Sequence, residues 1–351
     1  MEKIKHTIAS IKPLYERAMA EAKMRQSSLA KPRGSLGQLE SISIQVAGIK
    51  GEPRPRIVHK VIFTLVGDHG ITEEGVSAYP SEVTSQMVYN FLRGGAGINV
   101  LARLVGARVV VADLGVASKM EKHRDLIDKK VALGTQNMAK GPAMSREEAV
   151  RSIEAGIELV EEELMKGIDI LGTGDMGIGN TTSSSTITAV FTGADVVTVT
   201  GRGTGIDNEG WRQKVKVIQR ALEINRPNPK DPIDVLSKVG GFEIGGIAGV
   251  ILAGAKYRIP VVIDGFISGA AALIATSLSS QVKPYLIASH QSAEKGHKLI
   301  LEYLGLKPLL NLDLRLGEGT GAALGIFLVG ASLKILDEMA TFSEARVSEK
   351  L

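Results

Sequence analysis

The sequence predicts an α/β fold: a Rossmann-like parallel sheet flanked by helices, with a small helical domain built from the N- and C-terminal segments. Three observations predict it. Short β-branched runs alternate with long helical patterns, the order expected of βαβ units. Those runs are apolar at successive positions, as strands buried on both faces require. Both ends, by contrast, carry helical periodicity and no strand. A chain of 351 residues has room for a large α/β domain and a smaller satellite. The expected division is 51–334 for the large catalytic domain and 1–50 plus 335–351 for the small helical one.

In chain order, residues 1–50 space their apolar positions helically among Lys, Glu and Gln. A strand is expected at 61–66 (VIFTLV), then a helix over 81–104, a strand at 108–113 (RVVVAD) and a helix over 146–166. Strands at 168–171 (IDIL) and 195–200 (DVVTVT) follow, then a helix over 210–224. The segment NRPNPKD, 225–231, is a Pro-rich turn that stops one helix before the next. Helices over 244–255, 268–279 and 292–304 then alternate with strands at 260–263 (PVVI) and 285–288 (YLIA). A last helical pattern spans 320–338.

Composition narrows the function. Hydrophobic residues are 44% and charged residues 23%, enough to bury a core and too ordered for a low-complexity chain. The chain has no cysteine, which excludes disulfides, thiolate metal sites and cysteine nucleophiles. Its net charge of +4 comes from Lys and Arg scattered among Asp and Glu, and aromatics are only 4%. No stacking platform or basic arm for nucleic acid stands out, so a small anionic substrate fits the mild excess better. The N-terminal MEKIKHTIAS has no signal-peptide core, and the uncharged stretch 319–333 is short and Gly/Ala-rich for a membrane span. A soluble cytoplasmic protein is expected, with no membrane contact.

Forty glycines cluster between the apolar runs. The sharpest cluster is LGTGDMGIGNTTSSS, 171–185, with G-x-G-x-x-G at Gly172, Gly174 and Gly177 directly after a strand. A dinucleotide site would place an acid at the end of the next strand, about 20 residues on. Asp195 lies near that distance but at the strand's beginning, and Asp175 inside the loop would repel a pyrophosphate. The loop reads better as a cradle for one phosphate or ribose, with amides and the side chains of Asn180, Thr181 and Thr182 as donors; a tight strand-to-helix turn alone would also use these glycines. Further loops at 199–207 (VTGRGTGID), 237–246 (SKVGGFEIGG) and 263–271 (IDGFISGAA) converge on the crevice at the strands' C-terminal ends.

Glu318 lies between two glycines in RLGEGTG, at the start of the last helix. Apolar surroundings would desolvate it and raise its pKa toward a general base's range; a helix-start carboxylate favoured by the dipole is the other reading. Asp68 and His69 in VGDHGI lack companions at metal-ligand spacing, so no metal is expected and they are read as orienting a neighbouring loop. His290 lines the site or satisfies backbone. G-x-S-x-G and G-x-x-x-x-G-K-[ST] are both absent, which removes support for a serine hydrolase and for P-loop binding of ATP.

Together these motifs resemble nicotinate-nucleotide–dimethylbenzimidazole phosphoribosyltransferases. The likeness runs through KPRGSLGQLE (31–40), GDHGITEEGVSAYPSEVT (67–84), GGAGINVLAR (94–103), GTGDMGIGNTT, GRGTGID, LSKVGGFEIGGIAGV, DGFISGAAAL, SHQSAEKG and RLGEGTGAAL (315–324). It implies transfer of phosphoribose from nicotinate mononucleotide to 5,6-dimethylbenzimidazole, giving α-ribazole 5′-phosphate and nicotinate with inversion and no cofactor. The family's catalytic glutamate falls on Glu318. Its nucleotide-site acid and lysine fall on Asp175 and Lys214; the acid is usually glutamate, so this carboxylate tip should withdraw by roughly 1.5 Å and its contact weaken. Gly177, Asn180, Thr181, Gly265 and Ser292 are expected at the substrate, and Ser81 and Gln86 at the base pocket. A homodimer is implied as well. A nicotinamide-dependent oxidoreductase and a non-catalytic nucleotide sensor are the alternatives.

Overall fold

A computed structural model describes residues 1–348; the last three residues of the expected small domain, 349–351, lie outside the described residues. Six strands form one sheet: β1 (Lys60–Gly67), β2 (Ala107–Gly115), β3 (Leu126–Asp128), β4 (Ile170–Met176), β5 (Val261–Ile263) and β6 (Leu286–Ala288). Their order is β3-β2-β1-β4-β5-β6 and every pairing is parallel. The α/β class and the buried parallel sheet match the expectation. The chain builds outward from β1 to one edge, then returns to place β4 on its other side. The crevice beyond the C-terminal ends of β1 and β4 is therefore the topological switch point, where open sheets bind ligands.

The two faces of the sheet divide the strand residues by parity, as a two-residue side-chain repeat requires. Phe63, Leu65, Ala112, Leu114 and Leu171 enter the larger core, under α6 (Arg146–Glu163), α11 (Phe242–Lys256) and α12 (Phe266–Leu278). Ile62, Val66, Val111 and Ile170 enter the other, under α5 (Gly97–Val105) and α14 (Thr320–Glu338). By length and composition α14 is apolar enough to cross a membrane. In this fold its apolar face is spent on β4, on α5 and on α3 (Gln38–Lys50).

Beside the crevice, α7 (Asn180–Thr192), α8 (Val196–Val199), α9 (Asn208–Asn225) and α13 (Lys295–Leu304) pack around a smaller apolar cluster, and α10 (Pro232–Val239) bridges them to α6 and α12. At the ends, α1 (Glu2–Ser10) packs on α11 and α6, whereas α2 (Glu16–Ser28) packs on α3. The Arg25 guanidinium donates to the carbonyls of Leu336, Asp337 and Met339, and Leu29 bridges Thr341 just before the short α15 (Phe342–Ala345). The two termini thus meet through α2 and the end of α14.

Four element readings are corrected. The strand expected at 168–171 is β4, Ile170–Met176, so the first glycines of the 171–185 loop are strand residues paired with β1. The expected strand 195–200 is the one-turn helix α8, because the Asp195 carboxylate accepts from Val197 N at 2.7 Å and caps it. Both neighbours of β4 are already taken by β1 and β5, so that β-branched run buries Val196 and Val199 against helices. The single helix expected over 81–104 is two, α4 (Val83–Leu92) and α5, broken at Gly94–Gly95. A short edge strand, β3, went unread because three residues carry too little pattern.

Candidate active site

A cavity of about 500 Å³ opens at the switch point. Glu318 reaches it from the turn just before α14 and is 4% exposed. Its Oε2 accepts from Ile98 N at 3.0 Å, so the carboxylate sits on the N-terminus of α5. That helix end favours the ionised form, yet burial outweighs it and the pKa lies above the ordinary glutamate value. Desolvation thus raises the proton affinity of this carboxylate, the direction of shift that suits proton transfer. Gly174 lets this happen: a Cβ there would lie 2.3 Å from the Glu318 carbonyl oxygen.

Beside Glu318 lie the end of β4, which carries Asp175, and the turn from β4 to α7. Asp175 Oδ2 accepts from Asn180 Nδ2 at 3.0 Å. Burial, followed by the nearby Asp264 and Glu243 carboxylates, pushes the Asp175 pKa well above the ordinary value. This side chain is therefore readily protonated, which lessens its repulsion of an anionic ligand. Thr181 Oγ1 accepts from Lys214 Nζ at 2.7 Å. The Lys214 ammonium is fully buried, and desolvation lowers its pKa to about 8. Backbone amides at the α7 N-terminus, a buried cation and threonine hydroxyls make an anion-binding corner.

Of the residues singled out from sequence, Glu318, Asp175, Gly177, Asn180, Thr181, Gly265 and Ser292 all line this cavity, and Lys214 stands directly behind Thr181. Ser81 and Gln86 do not line it. Ser81 sits in the turn before α4, and Gln86 points to solvent, whereas Val83 and Met87, four residues apart on one face of α4, form the wall. Apolar Val76, Met176, Ile178 and Leu316 complete that side. His290 also lines the cavity, and desolvation lowers its pKa to about 4, so it is neutral there.

Several functional neighbours went unread. Asp264 accepts from Gly319 N at 3.2 Å and Ala322 N at 3.0 Å, and burial raises its pKa to about 7. Glu294 Oε1 accepts from Gly203 N at 2.9 Å and ties down the 201–205 loop. Glu243 Oε1 lies 2.6 Å from His69 Nε2, whose ring also meets Ser183, so His69 braces the β4–α7 loop from beneath. Arg315 and Thr204 line the anion corner. The available signal was an acid beside each glycine loop: DGF, AEKG and GFEIGG.

A buried carboxylate, an anion-binding corner and an apolar wall share this one cavity. Comparison with known proteins identifies the class. The phosphoribosyltransferase family model matches residues 11–347. The nicotinate-nucleotide–dimethylbenzimidazole phosphoribosyltransferase of Desulforudis audaxviator is 59% identical over 99% of both chains. Its counterpart in Roseiflexus sp. is 56% identical, over 100% of this chain and 99% of the relative. The crystal structure of CobT from Thermus thermophilus superposes with a TM-score of 0.92 at 45% identity, covering 95% of this chain and all of that one. This chain belongs to the nicotinate-nucleotide–dimethylbenzimidazole phosphoribosyltransferase family, and is a pentosyltransferase enzyme. The oxidoreductase and sensor alternatives fall with that result: of the glycine pattern, Gly172 and Gly174 belong to strand β4 and only Gly177 lies in the turn to α7.

Proposed function

We propose that the enzyme transfers phosphoribose from nicotinate mononucleotide to 5,6-dimethylbenzimidazole, with Glu318 as general base and inversion at the anomeric carbon. The observation that carries this reading is the Glu318 carboxylate: buried, raised in pKa, held by the backbone N–H groups of Gly97 and Ile98, and lining the cavity. The 5′-phosphate takes the corner made by Lys214, Thr181, Asn180 and the Gly177 loop, with Gly265 and Ser292 along the ribose. The benzimidazole takes the apolar slot beside Val83, Met87 and Leu316.

One ring nitrogen of the benzimidazole attacks the anomeric carbon as the bond to the nicotinate nitrogen breaks. The proton on the other ring nitrogen passes to Glu318, so no positive charge accumulates on the new base. The nicotinate nitrogen takes the bonding electron pair and leaves neutral at that atom, so it needs little acid assistance. Attack from the face opposite nicotinate turns a β-linked substrate into an α-linked product. Fixing both rings about one carbon supplies the orientation on which such a displacement depends. Asp175 bonds Asn180 and shapes the anion corner without joining the proton transfer. A cytoplasmic homodimer remains part of this reading, on the strength of the resemblance.

Mixing the protein with both substrates should release nicotinate, and proton NMR of the ribose product should show the α anomer. Glu318→Gln should lower kcat by roughly a thousandfold, within the usual range for loss of a positioned base. A Glu318→Gln rate near wild type would remove this residue from the mechanism.

A further inference from the structure

Three successive residues around the base, Gly317, Glu318 and Gly319, are left-handed, with φ of 81°, 63° and 98°. Glycine adopts that region freely. Glutamate does not, and a side chain held there persists only where its surroundings over-determine it. The restraints come from two strands and from the residue that follows a third. Asp175 O, on β4, accepts from Glu318 N at 3.1 Å. Thr64 Oγ1, on β1, donates to Glu318 O at 2.9 Å. The carboxylate of Asp264, just after β5, accepts from Gly319 N and Ala322 N and fixes where α14 begins. Thr64 and Asp264 are both buried and neither lines the cavity.

The conformation matters because it keeps Glu318 out of α14. With right-handed backbone at both Glu318 and Gly319, α14 would run on through these residues, and the Glu318 side chain would leave along the helix surface. The left-handed turn instead sends the carboxylate across to the N-terminus of α5, where Ile98 N receives it.

We infer that Thr64 and Asp264 are positioning residues that lock Glu318 in the left-handed conformation from which its carboxylate reaches the acceptor base. The inference rests on Glu318 being the base, and predicts a loss in turnover rather than in substrate affinity. Thr64→Val keeps the shape of the buried side chain and removes only the hydroxyl.

The experiment measures kcat and both KM values for Thr64→Val, Thr64→Ser, Asp264→Asn and Glu318→Gln. Thr64→Val should lower kcat about tenfold, the equivalent of one hydrogen bond, with KM for nicotinate mononucleotide within about twofold of wild type. Thr64→Ser, which retains the hydroxyl, should recover most of the loss. Asp264→Asn, which turns an amide donor toward backbone N–H groups, should lower kcat about a hundredfold, as for a displaced catalytic group. Should Asp264→Asn fail to fold, the two Thr64 variants decide the matter. A Thr64→Val enzyme with wild-type kcat, or a loss that Thr64→Ser shares in full or that appears in KM instead, overturns the positioning role. An inactive Glu318→Gln beside a fully active Thr64→Val rejects positioning alone, whereas an active Glu318→Gln rejects the base itself.

Discussion

Lys214 gives the site a pH signature of its own. Desolvation puts its pKa at about 8, so near neutral pH the free enzyme holds an ammonium behind Thr181, where the proposed binding mode places the phosphate. Above pH 8 the ammonium loses its proton and the attraction goes with it. The expected outcome is that kcat/KM for nicotinate mononucleotide falls about tenfold per pH unit above about pH 8, since that ratio reports the free enzyme. Lys214→Met should have a lower kcat/KM at pH 7 and no such alkaline limb; a limb that persists unchanged would assign it to another group. This lysine and Glu318 were both accessible to sequence reasoning, Glu318 because a lone acid between two glycines is unusual and Lys214 through the family resemblance. Thr64 and Asp264 were not. Thr64 reads as an ordinary β-branched strand residue, and Asp264 as part of a glycine loop. Their roles depend on which backbone groups arrive from other strands, and no local pattern encodes that.

At the level of elements, the errors and successes share one cause. Strands β1, β2, β5 and β6 announced themselves because buried parallel strands are apolar at successive positions, whereas β4 was read at 168–171 and its GTGDM end, 172–176, was taken for a glycine loop. The same β-branched signature misled at 195–200, where burial against α7 and α13 suits a helix capped by Asp195 equally well. Periodicity reports that a segment is buried, and neighbours decide its form. The pairing of α6 with α11 was also hidden. A Cβ on Gly156 would lie 1.9 Å from Gly246 O, and one on Gly249 would lie 2.0 Å from Ile153 O, so the two backbones touch. Gly156→Ala should therefore destabilise the protein by about 3 kcal/mol, because the helices must separate to admit the methyl group. Gly330→Ala, in α14 with nothing within 4 Å of its added Cβ, should stabilise it by up to about 1 kcal/mol. Urea midpoints for the two variants should move in opposite directions with m unchanged. A shared direction would mean that close approach does not govern the α6–α11 contact.

Across the whole molecule, the parallel sheet fixes where chemistry occurs, since β1, β4 and β5 all deliver their C-terminal ends to one crevice. Glycine loops following strands were enough to foresee that crevice. The apolar wall of the cavity was harder to foresee, because Val83 and Met87 face inward only once α4 is placed beside β1 and β2. The arrangement also couples binding to global stability. Nicotinate mononucleotide would touch the β4–α7 loop, Lys214 on α9 and the residues before α14, elements far apart in sequence whose joint geometry exists only in the folded state. A ligand that binds only that state stabilises it by about 2.7 kcal/mol at a hundred times its Kd. For a chain of this length the corresponding rise in Tm is about 4 °C. Glu318→Gln is the suitable protein for the measurement, because it should retain the phosphate corner while preventing turnover. Its Tm should rise with nicotinate mononucleotide, and the double variant with Lys214→Met should lose most of that rise at the same ligand concentration. An equal rise in both proteins would place the phosphate away from Lys214 and require a different orientation of the nucleotide in the crevice.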